Sequence, residues 1–143
     1  MIEFKKYPGI NSDGGSIVLT IASGPVIILD DGKVLLDKHG DDQFWKFPGG
    51  KLRDDNSVRD NAKREVKEEL GVEVDLIGDP FIICFDKEKN GMKEYVVLIH
   101  YLARIVGGEI NPGRDVREWA WHDINNLPDD CAPNIKPAVE YFK

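Results

Sequence analysis

The chain has 143 residues, 41% hydrophobic and 31% charged, and a formal net charge of −7. That length suits one domain with a sizeable core, and that composition excludes a disordered chain. The acidic balance argues against a nucleic-acid polymer as partner, which would want a basic face, but not against a phosphorylated small molecule, because clustered carboxylates recruit cations that attract phosphate.

The N-terminal MIEFKKYPGI lacks the apolar core of a signal peptide, and no apolar run approaches membrane-spanning length. Cys84 and Cys131 match no metal-ligand spacing and are read as reduced thiols. A cytoplasmic protein without membrane contact is the expectation. The whole chain, 1–143, reads as a single domain, with residues 1–15 a lead-in segment or edge strand ending in the turn-rich Asn11-Ser12-Asp13-Gly14-Gly15.

Ile17 to Ala22 is β-branched and apolar, a strand. Val26 to Leu29 and Val34 to Leu36 flank Asp30-Asp31-Gly32, the signature of a hairpin. A polar loop, Gly40 to Gln43, leads through Phe44-Trp45-Lys46-Phe47-Pro48 to the pair Gly49-Gly50. Ser57 to Leu70 reads as a helix: Ser57 suits the N-cap, Gly71 suits the C′ position, and Val58, Ala62, Val66 and Leu70 form an apolar stripe. Val72 to Leu76, Phe81 to Phe85 and Tyr95 to Val106 are expected as strands, with Asp86 to Lys93 a charged loop between the last two. A short strand at Val116 to Trp121 and a terminal helix at Ile135 to Phe142 complete the chain. This order suggests a mixed sheet with helices packed on it.

The stretch that carries chemistry is Gly49 to Val72. On a helix, Glu65, Glu68 and Glu69 sit at i, i+3 and i+4, within an arc of roughly 100°. Arg64 and Lys67 lie beside that arc and compensate it only in part. A hard divalent ion resolves the repulsion, because Mg²⁺ takes oxygen ligands and joins one or two carboxylates to substrate phosphates. Glycine at 49 and 50 lets backbone approach a ligand closely and present a carbonyl to it. Taken alone, such an acidic cluster is more often a solvated helix face.

The full spacing narrows the choice. Gly50, Arg64, Glu65, Val66, Glu68, Glu69, Gly71 and Val72 reproduce, with one departure, the signature Gly-x5-Glu-x7-Arg-Glu-U-x-Glu-Glu-x-Gly-U, where U is a bulky aliphatic. The stretch therefore resembles the Nudix box. Trp45 to Gly50 also resembles what precedes the box, and Glu118-Trp119 with Leu127-Pro128 resembles the family's closing region. The resemblance implies an α/β fold, a Nudix-type α/β/α sandwich with a mixed sheet. It implies hydrolysis of the diphosphate linkage in a nucleoside diphosphate joined to another moiety: a nucleoside triphosphate, a nucleotide sugar or an ADP-ribose-like compound. Mg²⁺ or Mn²⁺ is the implied cofactor. Glu68 and Glu69 would coordinate metal together with the Gly49 carbonyl. Glu65 would bind a second metal or take a proton from the attacking water, and Arg64 would orient the glutamates.

The departure is Asn56, which stands where the signature has its first glutamate. Asp54, Asp55 or Asp60 is a substitute, and Asp60 lies four residues before Arg64 on the helix, in position to pair with it. The same departure motivates an alternative, a catalytically weak Nudix-fold nucleotide-binding or sensor module.

Outside the box, the Glu109 to Glu118 segment offers one more acid to the metal, with Asp115 first and Glu109 and Glu118 behind it. Arg53, Arg104, Arg114 and Lys46 are candidates for substrate phosphates. Phe44, Trp45, Phe85 and Tyr95 are candidates for an aromatic wall against a nucleobase. His100, within an apolar strand, reads as a core histidine. Some family branches carry a proline or tyrosine 15 to 18 residues after the box, and Asp86 to Lys89 contains neither. This counts against the standard ADP-ribose and diadenosine-polyphosphate branches. The sequence leaves the oligomeric state open, a homodimer included.

Overall fold

The computed structural model describes residues 5–10 and 16–143. The turn cluster expected at Asn11 to Gly15 lies outside the described residues. Lys5–Ile10 (β1) pairs antiparallel with Ser16–Ile27 (β2), and β2 runs parallel to Met92–Gly107 (β6), which pairs antiparallel with Glu73–Lys89 (β5). The two-residue strand Gly50–Lys51 (β4) also pairs with β2. Lys33–His39 (β3) and Val116–Asp123 (β7) form a second, antiparallel sheet. The helices are Val58–Leu70 (α1) and Ile135–Phe142 (α2).

Two layers of core follow from the period-two alternation of the strands. Val26 of β2 with Val34 and Leu36 of β3 pack with Ile135, Ala138 and Val139 of α2. Their neighbours Ile27 and Leu35 face the other way, onto Val66 and Leu70 of α1. The sheets thus form the middle layer of the expected α/β/α sandwich. Each fully buried Val or Leu contributes about 1.5–3 kcal/mol.

Three expectations are corrected. The Asp30-Asp31-Gly32 turn does reverse the chain, with the Leu29 N–H on the Lys33 carbonyl and a bridge at Ile28–Val34, but the strands it joins then enter different sheets. The Asp86 to Lys93 segment is not a loop. β5 and β6 continue through it to a two-residue turn at Asn90 and Gly91, whose φ angles of 55° and 74° are those of a tight hairpin. Its charges oppose each other across the strands, Lys87 against Glu94 and Glu88 against Lys93. Third, the strands expected at Val72 to Leu76 and Phe81 to Phe85 are one strand, β5, which begins at Glu73 and is interrupted by a bulge between Ile77 and Phe81. Gly78 takes a φ of 69° there.

Helix α1 is held at both ends. Ser57 Oγ accepts from the Asp60 N–H, and Gly71 closes the other end at a φ of 76° with its N–H on the Lys67 carbonyl. Beyond it, the Asn111 N–H bonds the Leu70 carbonyl and the Gly113 N–H bonds the Glu69 carbonyl. Those bonds lay the 108–115 segment against the end of the helix that carries the glutamates.

Candidate active site

The face of α1 turned to the sheets carries two adjacent stripes. One is apolar, Ala62, Val66 and Leu70; the other is polar, Asn61, Glu65 and Glu69, and all six residues are buried. The i, i+4 spacing of helical residues produces both. Glu68 lies at the margin, its side chain 44% exposed. The three glutamates therefore straddle the boundary between core and solvent.

Asn61 ties the polar stripe to β2 and β4. Its Nδ2 donates to Ser23 Oγ at 2.9 Å and to the Gly50 carbonyl at 3.1 Å. Arg64 reaches four groups: Nε donates to Asn56 Oδ1 at 2.6 Å, Nη1 to Glu68 Oε2 at 3.1 Å and Nη2 to Asn61 Oδ1, and Nη2 lies 2.9 Å from Glu65 Oε1. Asp60 is exposed and makes no ion pair with Arg64 among the described residues. The departure from the signature is thus resolved at its own position, because the Asn56 amide oxygen accepts the hydrogen bond the missing carboxylate would have taken. Asn56→Ala should lower activity about tenfold, in line with a lost hydrogen bond to a charged group. Asp60→Asn should leave it within about twofold, as an exposed, unpaired acid would. Steady-state kinetics of the two variants checks this order, which reverses the expectation drawn from helix spacing.

Glu69 is the pivot of the site. Gly49 N–H donates to its Oε2 at 3.0 Å, while Oε1 lies 3.5 Å from His39 Nε2. His39 Nε2 also lies 3.1 Å from Asp37 Oδ1. Asp37 and His39 project from the same face of β3, two residues apart, toward α1. Among the described residues, the His, Cys, Asp and Glu donor atoms that lie within 4.8 Å of one another come from Asp37, His39 and Glu69.

Charge is concentrated here under low solvation. Burial pushes the carboxyl of Asp37 upward and that of Glu69 up to about 8, each opposed by His39. Hydrogen bonding to the two carboxylates raises the His39 imidazole to about 10. Burial also raises Glu65, countered by Arg64. Glu65 Oε1 faces Arg64 at 2.9 Å and Glu69 Oε1 faces His39 at 3.5 Å, while Asp37 Oδ2 and Glu65 Oε2 are buried without a hydrogen-bond partner. Buried carboxylate oxygens in that condition are costly unless a cation meets them. The donor set fits a divalent ion.

Two depressions meet at His39 and Glu69. One is a cleft of about 400 Å³ whose lining includes Phe47, Val96 and Leu98, with His100 and Asn134. The other, of about 390 Å³, adds Glu68, Arg114 and Asp115. Asp115 therefore stands beside the glutamates, held by its carbonyl to the Gly40 N–H. Glu118 instead lies near Lys38 across the second sheet.

Phe44 is half exposed, and Phe44, Trp45, Phe85 and Tyr95 do not line the cleft. Alternation along 44–47 explains the first two: Trp45 and Phe47 turn toward the α2 core, and Phe44 turns to solvent. Phe47 is the ring that reaches the cleft. Lys46 also lines it, whereas Arg53 sits 3.6 Å from Glu68, outside it. Sequence reasoning missed Asp37, His39 and Asn61. The available signal was an aspartate closing the apolar run Val34-Leu35-Leu36, a position that burial makes expensive for a charge.

His100 is the buried histidine expected. It lies 3.3 Å from the Gly24 carbonyl through Nδ1 and 2.9 Å from Asn134 Nδ2 through Nε2, with Phe47 edge-on at 4.8 Å. Burial lowers its pKa to about 4. The unfolded chain therefore binds this proton at a higher pH than the folded one. Stability should fall as pH drops from about 6.5 to 4, by on the order of 3 kcal/mol from this group. Urea unfolding across that range should show a shallower pH dependence in His100→Gln than in the parent; equal slopes would contradict it.

A family model of the NUDIX domain matches residues 19–142. The ADP-ribose pyrophosphatase of Methanocaldococcus jannaschii is 31% identical over 123 residues, which cover 82% of this chain and 70% of that protein. A CTP pyrophosphohydrolase of Escherichia coli is 39% identical over 69 residues, 46% of this chain and 50% of that protein. Among solved structures, a MutT NUDIX hydrolase from Burkholderia pseudomallei superposes with a TM-score of 0.69 at 26% identity, covering 87% of this chain and 98% of that one. The chain belongs to the Nudix family and is a pyrophosphohydrolase of the Nudix type.

Proposed function

We propose that this Nudix enzyme uses water and a divalent ion, Mg²⁺ or Mn²⁺, to split the diphosphate bridge of a nucleoside diphosphate linked to a second moiety. The observation that carries the reading is the position of Glu69, a buried carboxylate held by Gly49 and His39 where the apolar cleft meets the polar depression. A base and its sugar fit the apolar side, against Phe47, Val96 and Leu98. The diphosphate then crosses Glu69, and the second moiety lies toward Arg114.

Glu68 and Glu69 would hold the ion, with the Gly49 carbonyl and Asp115 as further oxygen donors. When bound, the ion supplies charge neutralisation at the phosphates and activation of water. Glu65, buried and with raised proton affinity, takes the proton from the attacking water. Arg64 holds Glu65 and Glu68 in place, and Arg53 and Lys46 approach the phosphates from the rim. Catalysis is then mainly positioning and electrostatic stabilisation.

The relatives named for ADP-ribose and CTP support a nucleotide carrying a second moiety or further phosphates as the substrate class. The protein is expected in the cytoplasm, acting on a small molecule rather than on a nucleic-acid polymer. Among the described residues no helix is long and apolar enough to cross a membrane. Incubation with ADP-ribose, nucleoside triphosphates, nucleotide sugars and dinucleoside polyphosphates should release a nucleoside monophosphate from at least one. Nucleotide binding without turnover of any would instead support a sensor.

A further inference from the structure

Among the described residues, the donor cluster close enough to hold an ion is not made of the signature glutamates alone. That cluster spans β3 and α1 and includes an imidazole nitrogen: Asp37, His39 and Glu69. Nε2 of His39 lies 3.1 Å from Asp37 Oδ1 and 3.5 Å from Glu69 Oε1. Donors about 2.1 Å from a common ion are separated by roughly 3.0 Å in octahedral and 3.4 Å in tetrahedral geometry. The two contacts of His39 Nε2 thus also match the separation of ligands around one ion, which would take the place of the Nε2 proton now shared with the carboxylates.

Two further observations point to a ligand. Asp37 is fully buried and Glu69 nearly so, and Asp37 keeps an oxygen, Oδ2, with no hydrogen-bond partner. The trio is also positioned from outside. Gly49 N–H fixes Glu69 through its other oxygen, and Asp42 Oδ2 accepts the His39 backbone N–H at 3.0 Å. Arg117 in turn bonds the carbonyls of Gly40 and Asp42, which fixes the turn beyond His39.

Chemistry then chooses the ion. Mg²⁺ favours oxygen donors and gives up its water reluctantly, whereas imidazole suits the later first-row ions such as Fe²⁺, Ni²⁺ and Zn²⁺, with Mn²⁺ the weakest binder of that series. We propose that Asp37, His39 and Glu69 form a nitrogen-containing metal site that selects a first-row transition ion over Mg²⁺, Mn²⁺ serving as its spectroscopic probe. This rests on the hydrolase reading only in sharing Glu69; the binding itself needs no substrate.

The test titrates Mn²⁺ and Mg²⁺ separately into the full chain by calorimetry and records electron spin echo modulation from the Mn²⁺-loaded protein. The wild type should bind Mn²⁺ on the order of tenfold more tightly than Mg²⁺ and show coupling to a directly coordinated ¹⁴N. His39→Ala should lose that coupling and at least about tenfold in Mn²⁺ affinity, with Mg²⁺ affinity changing less than about threefold. Asp37→Asn, which keeps the volume, should weaken Mn²⁺ while the nitrogen coupling persists. Should His39→Ala fail to fold, the wild-type spectrum decides alone. No nitrogen coupling in the wild type overturns the site and leaves His39 as an ion-pair partner of the two carboxylates. Turnover measured on the same samples separates the two readings. Nitrogen-ligated Mn²⁺ without hydrolysis of any nucleotide supports the site and defeats the hydrolase reading; hydrolysis without a nitrogen ligand does the reverse.

Discussion

Glu69→Gln is expected to lower kcat by roughly 10³-fold while leaving the protein folded. Glutamine keeps the volume of the side chain, and its amide oxygen can still accept the Gly49 N–H that now bonds Oε2. What it removes is the negative charge at the point where cleft and depression meet, and with it the attraction for a cation. Losing several kcal/mol of electrostatic stabilisation corresponds to that rate. Circular dichroism and a thermal melt confirm the fold, and single-turnover kinetics reads the chemical step. A variant that keeps more than a tenth of the parent rate would remove Glu69 from the centre of the site. Glu68→Gln is the informative companion. Glu68 is more exposed and held by Arg64 and Arg53, so its loss should be smaller.

The second large effect is structural. Gly24→Ala should destabilise the fold by about 3 kcal/mol or more, at or beyond the upper end for overpacking. A Cβ built at Gly24 would stand 2.0 Å from the Pro48 carbonyl oxygen, and one at Gly49 would stand 2.7 Å from the Ser23 carbonyl oxygen. The obstructing atoms are backbone on both sides, so no side chain can swing away to make room. Strand β2 and the segment that delivers Gly49 to Glu69 touch main chain to main chain. Forcing them apart should displace the Gly49 N–H, so activity should fall beyond what the lost stability explains. Chemical denaturation measures the first effect, and kcat at a temperature where the variant remains folded measures the second. A Gly24→Ala protein within about 1 kcal/mol of the parent would show that the two backbones yield easily.

What the sequence disclosed, and what it hid, follows from the range of the interactions involved. Ser57 and Gly71 delimit α1 through bonds to residues within four positions, and such local chemistry is legible from order alone. So is the stripe Ala62, Val66, Leu70. Charged residues misled at the β5–β6 hairpin, because Lys87 and Glu88 look like loop until Glu94 and Lys93 are seen opposite them. The candidate site was half legible. Its helix carries the glutamates in a fixed pattern, but Asp37 and His39 come from a strand some 30 positions away that packs in a different sheet. Nothing local to β3 announces that its aspartate faces Glu69. The partner of Arg64 was misread for a related reason: i, i+4 spacing favours Asp60, yet the loop before the helix folds back and offers Asn56 instead.

The claim that water attacks phosphorus in a nucleotide diphosphate bridge is tested most directly by isotope. Wild-type protein is supplied with ADP-ribose, CTP and nucleotide sugars, with Mg²⁺ or Mn²⁺, in H₂¹⁸O, and the products are resolved by mass spectrometry. The expected result is a nucleoside monophosphate plus a second phosphorylated product, with one ¹⁸O on phosphorus in one of the two. Label on carbon, or no turnover of any compound with either ion despite nucleotide binding, would contradict it.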